Sequence, residues 1–197
     1  VPALCTSIRK LNKKGEISIF TRTSYRPSEL SSNYYEACFT PLIYAGQTVT
    51  ARVYIPDDAP TDLYASLYVY DEHHKTTHQA EATHLTPGTW QTLTYTIPKL
   101  TDSLLSEVGI VLRNLGEVWT VGSFYLSELD WHGTPDYECT FRHERSETNG
   151  ISQWTRLRGY WRLDNNAYHG SGLEENETYS GDIRWTDYRL TAEVIPL

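Results

Sequence analysis

The chain has 197 residues, a net charge of −8 from 17 Lys and Arg against 25 Asp and Glu, and 39% hydrophobic and 13% aromatic residues. That composition reads as a soluble globular chain and excludes wholesale disorder, and its longest apolar runs, such as Leu42–Ala45 and Val108–Leu112, are far too short to cross a bilayer. The acidic balance repels a phosphate backbone, so neither nucleic acid nor a membrane is expected as a partner.

Apolar residues alternate along the chain instead of recurring at three and four, and Thr, Tyr, Val and Trp are abundant, which predicts an all-β protein. The first 33 residues are polar and irregular. They predict one leading strand, near Ile17–Thr21, and a long loop. There is no Met anywhere, and Val1-Pro2-Ala3-Leu4 lacks the features of a signal peptide, so an excised piece of a longer protein is expected and its compartment stays open. Cys5, Cys38 and Cys139 form neither a Cys-x-x-Cys pair nor a zinc-ligand pattern. One bridge plus a free thiol, or three small buried thiols, are the readings, the second being the plainer.

From Gly46 the alternation sharpens. Val49, Ala51, Val53 and Ile55 take one face of a strand and Thr48, Thr50, Arg52 and Tyr54 the other, until Pro56-Asp57-Asp58 ends it. Next, Leu63, Ala65, Leu67 and Val69 oppose Tyr64, Ser66, Tyr68 and Tyr70, which puts three tyrosines on the face away from the core. Further strands are predicted at Trp90–Ile97, around Val108–Leu112, and at Phe124–Trp131. In the last of these Leu129 and Trp131 fall on the opposite parity from Phe124 and Leu126, which predicts a bulge near Ser127-Glu128. The predicted core is Val49, Val53, Leu67, Val69, Leu93, Ile110, Leu112 and Leu126.

Composition shifts after Gly133. Residues 134–150 read as a linker, with Pro135, a charged stretch from Arg142 to Glu147, and Asn149-Gly150. Beyond it, Asp164-Asn165-Asn166 between Trp161-Arg162-Leu163 and Ala167-Tyr168-His169 predicts a hairpin. The alternation of Tyr188, Leu190, Ala192 and Val194 predicts a final strand within Asp187–Val194. The expected organisation is a leading strand and loop over 1–33, a sandwich over 34–133, the linker 134–150, and over 151–197 the start of a second β-unit completed by sequence outside this chain.

Catalytic signatures are missing: there is no Gly-x-Ser-x-Gly, no phosphate-cradling glycine loop and no His-Glu-x-x-His. Asp57-Asp58, Asp71-Glu72 and Glu174-Glu175 read as solvated turns, and His73, His74, His78 and His84 as an exposed loop and not a metal site. What stands out is flat side chains beside planar polar ones, the combination that receives a sugar: aromatic rings stack on its C–H face, and Arg, Asn and carboxylates take its hydroxyls. Two places offer it. One is the loop Arg113-Asn114-Leu115-Gly116-Glu117-Val118-Trp119, with Trp119 as the ring and Arg113, Asn114 and Glu117 as hydroxyl partners, the plainer alternative being that Trp119 caps the core. The other is a tyrosine face made of Tyr54, Tyr64, Tyr68 and Tyr70.

Four stretches, Ala45-Gly46-Gln47-Thr48-Val49, Thr86-Pro87-Gly88-Thr89-Trp90-Gln91-Thr92-Leu93, Val108–Leu112 and Gly122–Leu129, resemble the galactose-binding-like jelly rolls of carbohydrate-binding modules. The resemblance implies a β-sandwich and a structural calcium ion near the closing strand, for which Glu128 and Asp130 are the candidates, Ser127 standing where Asp is common. The run from Trp161 to Gly170, with Thr178–Asp182 and Trp185–Leu190, resembles the opening of a laminin-G or concanavalin-like jelly roll. The pair together resembles the C-terminal accessory region of bacterial ADP-ribosylglycohydrolase-family proteins, which implies a catalytic domain elsewhere in the parent chain. The expectation is therefore a non-catalytic module for a glycan or sugar-bearing small molecule, with no cofactor beyond such a calcium ion. The alternatives are a purely structural sandwich for domain or protein contacts and a hydrolase fragment.

Overall fold

A computed structural model describes residues 2–23, 43–142, 154–172, 175–182 and 185–196. It is all-β. Strands β1 (Leu4–Ile8), β2 (Gly15–Arg22), β3 (Thr48–Tyr54), β4 (Leu63–Asp71), β5 (Thr76–Gln79), β6 (Thr83–His84) and β7 (Gln91–Thr96) lead, in chain order, to β8 (Leu100–Thr101), β9 (Leu105–Asn114), β10 (Gly122–His132) and β11 (Tyr137–Glu138). Two antiparallel sheets result. One has the order β1-β10-β3-β7. The other runs β2-β9-β4-β5, with β6 also paired to β4.

The alternating pattern is what buries one side of each sheet. Val49, Ala51 and Val53 of β3, Leu93 of β7 and Phe124 of β10 meet Leu63, Ala65, Leu67 and Val69 of β4 and Val108, Ile110 and Leu112 of β9 in one core. Seven of the eight predicted core residues are buried, and Leu126 packs against the cluster partly covered. The predicted bulge is present: β10 and β3 shift register between Leu126 and Glu128.

The leading segment differs from expectation. It supplies two strands, one to each sheet: β1 pairs with β10 from Leu4↔Leu126 to Ile8↔Gly122, and β2 pairs with β9 from Gly15↔Asn114 to Arg22↔Glu107. β2 contains the predicted strand at Ile17–Thr21, whereas β1, an edge strand with one neighbour and little apolar alternation, was not predicted. The histidine segment also differs, because Thr76–Gln79 is a strand that closes a hairpin on β4. Within the expected linker, Tyr137–Glu138 pairs in parallel with Leu100–Thr101. The rest of that linker from residue 143, the start of the expected sandwich at 34–42, and Cys38 fall outside the described residues. Cys5 is exposed and Cys139 half-buried, which corrects the reading of three buried thiols.

In the C-terminal part, β12 (Thr155–Arg158) pairs with β15 (Glu177–Tyr179), and β13 (Tyr160–Asp164) forms the predicted hairpin with β14 (Ala167–Ser171). Asn165 and Asn166 hold the turn at φ 49° and 58°. Phe141, Trp154 and Trp161 gather round Tyr168, with ring centroids 4.7–6.2 Å from it. The predicted last strand does not form. Residues 188–196 have no ladder partner, and Tyr188, Leu190, Val194 and Ile195 stand exposed. Alternation alone cannot make a strand without a neighbour to take its amides.

Tyr44 joins this part to the sandwich. It is buried, lies 4.9 Å from the Tyr137 ring and takes the edge of Trp185 at 4.8 Å, and its hydroxyl accepts a hydrogen bond from the Gly181 amide at 3.2 Å. Burial raises its pKa well above the ordinary phenol value, with Tyr137 and Asp182 adding to the shift and the hydrogen bonds to Ser180 and Gly181 opposing it. Two outcomes are expected. Leu67→Ala should cost about 2–5 kcal/mol in urea unfolding, by the lost contacts and the cavity left between the sheets. In the unfolded chain Tyr44 ionises first, so its contribution is complete below about pH 10 and declines as pH rises above it. Unfolding midpoints measured from neutral to strongly alkaline pH should therefore fall less steeply in Tyr44→Phe.

Candidate functional site

The outward residues of the five-stranded sheet form four cross-strand rows set by register. The first is Glu16–Arg113–Tyr64–His84, the second Ser18–Val111–Ser66, the third Phe20–Gly109–Tyr68–Gln79, and the fourth Arg22–Glu107–Tyr70–Thr77. Side chains two apart on a strand share a face, so these rows lie next to one another on one surface. The outer rows carry rings and charges, the second row is small apart from Val111, and the third carries Phe20, Gly109, Tyr68 and Gln79. The middle of this face is largely buried, with Ser66, Tyr68 and Val111 at 2%, 6% and 7% exposure, while Phe20 is 51% exposed.

In the first row the Arg113 Nε donates to Glu16 at 2.9 Å, and Tyr64 meets the His84 ring edge-on at 5.1 Å. Gly109 makes the buried middle possible: a Cβ there would stand 2.4 Å from the Ile19 carbonyl oxygen and 2.7 Å from Phe20 Cβ. Tyr68 is only 6% exposed and its hydroxyl bonds Ser18 two strands away, so its ring crosses β9 where Gly109 offers no side chain. Burial, then the nearby Glu107 carboxylate, raises the Tyr68 pKa, and the Ser18 bond partly opposes them. Beside it, among the described residues, the buried Ser66 hydroxyl has no hydrogen-bond partner. A hydroxyl left in that state is costly in a folded protein and is satisfied when something polar reaches it.

This geometry separates the residues that sequence grouped together. Trp119 is 6% exposed and belongs to the core: its backbone bonds Leu11 in both directions, and its ring lies so close over Gly122 that a Cβ there would overlap it. It cannot offer a free ring to a ligand. Asn114 is fully buried and spends its side chain on the loop, donating to the Leu11 and Glu117 carbonyls and accepting from the Gly116 amide. Glu117 is exposed and pairs with Lys13 at 3.4 Å. Only Arg113 of that loop group reaches a shared surface, and that surface is the tyrosine face, directly opposite Tyr64. Tyr70 stands half-buried on the same face, whereas Tyr68 is floor and not an exposed platform. Tyr54 belongs to the other sheet.

Glu128 and Asp130 lie on the outer side of the four-stranded sheet, opposite Arg52 and Thr50. Among the described residues no three His, Cys, Asp or Glu converge on a metal position. Of the histidines near the β4–β5 turn, His74 and His78 face Asp71 Oδ2 at 2.8 and 3.8 Å, and His73 turns to Asp102. Buried Asp71 accepts from the amides of His73, His74 and Leu104 and from the His74 ring, and the His73 Nδ1 lies 2.7 Å from the Asp102 carbonyl. The Asp71-Glu72 pair is therefore half structural, because Asp71 holds a turn and is not solvated.

Glu16, Phe20 and Glu107 were missed by sequence reading. Only the pairing of β2 and β4 on either side of β9 brings them beside Tyr64 and Tyr70. The alternation of Ile17 and Ile19 with Glu16, Ser18 and Phe20 was the available signal.

No protein-family model matches the chain, and no curated protein is similar to it. Solved structures similar to it include a module from a study of the promiscuous specificity of carbohydrate-binding modules of the β-sandwich superfamily. It is 13% identical, with 66% of this chain and 57% of that one covered and a TM-score of 0.38. A structure of a family 4 carbohydrate-binding module is 15% identical over 66% of this chain and 82% of its own, also at 0.38. The CBM22-1 xylan-binding domain of Paenibacillus barcinonensis Xyn10C is 13% identical over 66% and 92%, at 0.32. The sandwich itself rests on the strand pairing above and not on these partial overlaps. Asn114→Ala should lower stability by about 1–3 kcal/mol in thermal or urea unfolding, because it removes three hydrogen bonds of a buried side chain and leaves the Leu11 carbonyl only the Trp119 amide.

Proposed function

We propose that the protein is a non-catalytic carbohydrate-binding module that receives a saccharide on the outer face of its five-stranded sheet. The observation that carries this reading is the register of β9, which puts Arg113 beside Tyr64 and Glu107 beside Tyr70 on one surface. Tyr64, Tyr70 and the 51%-exposed Phe20 supply ring faces for the C–H side of a sugar. Arg113 and Gln79 donate to hydroxyls, and Glu16 and Glu107 accept from them. A shallow face buries little of its ligand and orders several side chains, so affinity for a single short saccharide is weak.

The same reading includes an accessory role beside a catalytic domain of the parent chain, which the likeness to ADP-ribosylglycohydrolase accessory regions implies. Structures similar to this chain are described as xylan-binding or as complexed with xylohexaose, which makes xylan a natural first probe. The experiment is affinity electrophoresis against xylan, mixed-linkage glucan and galactomannan. Tyr64→Ala and Arg113→Ala should each weaken retention about tenfold, equivalent to roughly 1.4 kcal/mol, while Glu117→Ala stays at the level of the unmodified chain. Equal retention for all three variants would remove this face from the site.

A further inference from the structure

The four-stranded sheet has an outer face of its own, and its composition is also unusual. Trp90, just before β7, forms a row with Tyr54 of β3 and Tyr125 of β10, with centroids 5.3 Å apart from Trp90 to Tyr54 and 5.7 Å from Tyr54 to Tyr125. The planes meet at 34° and 63°, which makes a notched row of half-buried rings. The next row along the strands is Thr92–Arg52–Glu128, followed by Thr94–Thr50–Asp130.

Arg52 lies over the Trp90 ring at 5.3 Å, which fixes its plane while leaving its N–H groups unspent: among the described residues it has no ion pair and no side-chain hydrogen bond. Glu128 faces outward beside it only because of the bulge, since strict alternation from Tyr125 would turn it inward. It too has no ion pair among the described residues. A groove of about 450 Å³ opens along the same bulge, between Pro2–Leu4 and Leu126–Leu129, with Glu128 in its wall.

We infer that this second face, with Trp90, Tyr54, Tyr125, Arg52 and Glu128, is an independent site for a neutral oligosaccharide, so that the module carries two saccharide sites on opposite sheets. Rings in a row stack successive sugar units. An unspent guanidinium beside an unspent carboxylate donates to and accepts from neighbouring hydroxyls, and the carboxylate beside it disfavours an anionic sugar. The inference shares the saccharide class proposed for the first face but none of its residues. Two sites facing apart would let one molecule bridge two polymer chains, with avidity that neither site has alone.

The test uses isothermal titration of the 197-residue chain with xylohexaose and cellohexaose. The expected result is two sites in the unmodified protein and one in Arg52→Ala. Arg113→Ala should retain a binding event that Arg113→Ala/Arg52→Ala loses. Trp90→Ala should act like Arg52→Ala, and the exposed substitution Glu128→Gln, which leaves the rings untouched, should weaken the same event several-fold. A single site abolished by Arg113→Ala and indifferent to Arg52→Ala and Glu128→Gln would overturn the second site and leave the first. Binding abolished by Arg52→Ala and indifferent to Tyr64→Ala and Arg113→Ala would do the opposite. Absence of binding to either hexaose would overturn both.

Discussion

The constraint on which the rest depends is the burial of aliphatic side chains between two sheets. Val49 and Val53 on one side and Leu67, Ile110 and Leu112 on the other are removed from water, each worth roughly 1.5–3 kcal/mol. Because strand side chains alternate with period two, burying that set obliges the intervening residues to face outward. Tyr64, Tyr70 and Arg113 are on one outer surface for this reason, and Arg52 and Tyr54 on the other. A one-residue slip in β9 would bury Arg113 and expose Leu112, so the register that protects the core also assembles the candidate site.

Two local features of the strands shape the surfaces. Gly109 removes a side chain from the middle of β9, and Tyr68 lies across the gap as a floor held by Ser18. The bulge at Ser127 reverses the parity of β10, which keeps Leu129 and Trp131 against the core while turning Glu128 toward Arg52. In one place a missing side chain and in the other a register shift changes what the outer face presents.

The C-terminal part follows different physics. Its ribbons are two-stranded and cannot hide their rings alone. Phe141, Trp154 and Trp161 therefore cluster on Tyr168, while Trp185 is taken up by Tyr44 of the sandwich. Tyr44 is thereby both core residue and dock, and its hydroxyl, held by the Gly181 amide, is the polar end of that contact.

What the sequence determined by itself was whatever is local. Alternation placed β3, β4, β7, β9 and β10, the parity of Leu129 and Trp131 announced the bulge, and Asp164-Asn165-Asn166 announced the hairpin. The aromatic and planar polar content that suggests a sugar ligand was legible as well. Tertiary structure alone decided which of those residues meet. Local pattern left Trp119 as either an exposed ring or a core cap and offered Asn114 as a ligand group, and pairing with Leu11, far from that loop in sequence, buries both. Arg113 reads as part of a loop in sequence, whereas pairing with β2 and β4 makes it a member of a sheet face. Edge strands such as β1, and an alternating run such as 188–194, differ only in whether a neighbour is there to bond their amides. That neighbour comes from elsewhere in the chain, which is why alternation predicted a strand in the second and overlooked the first.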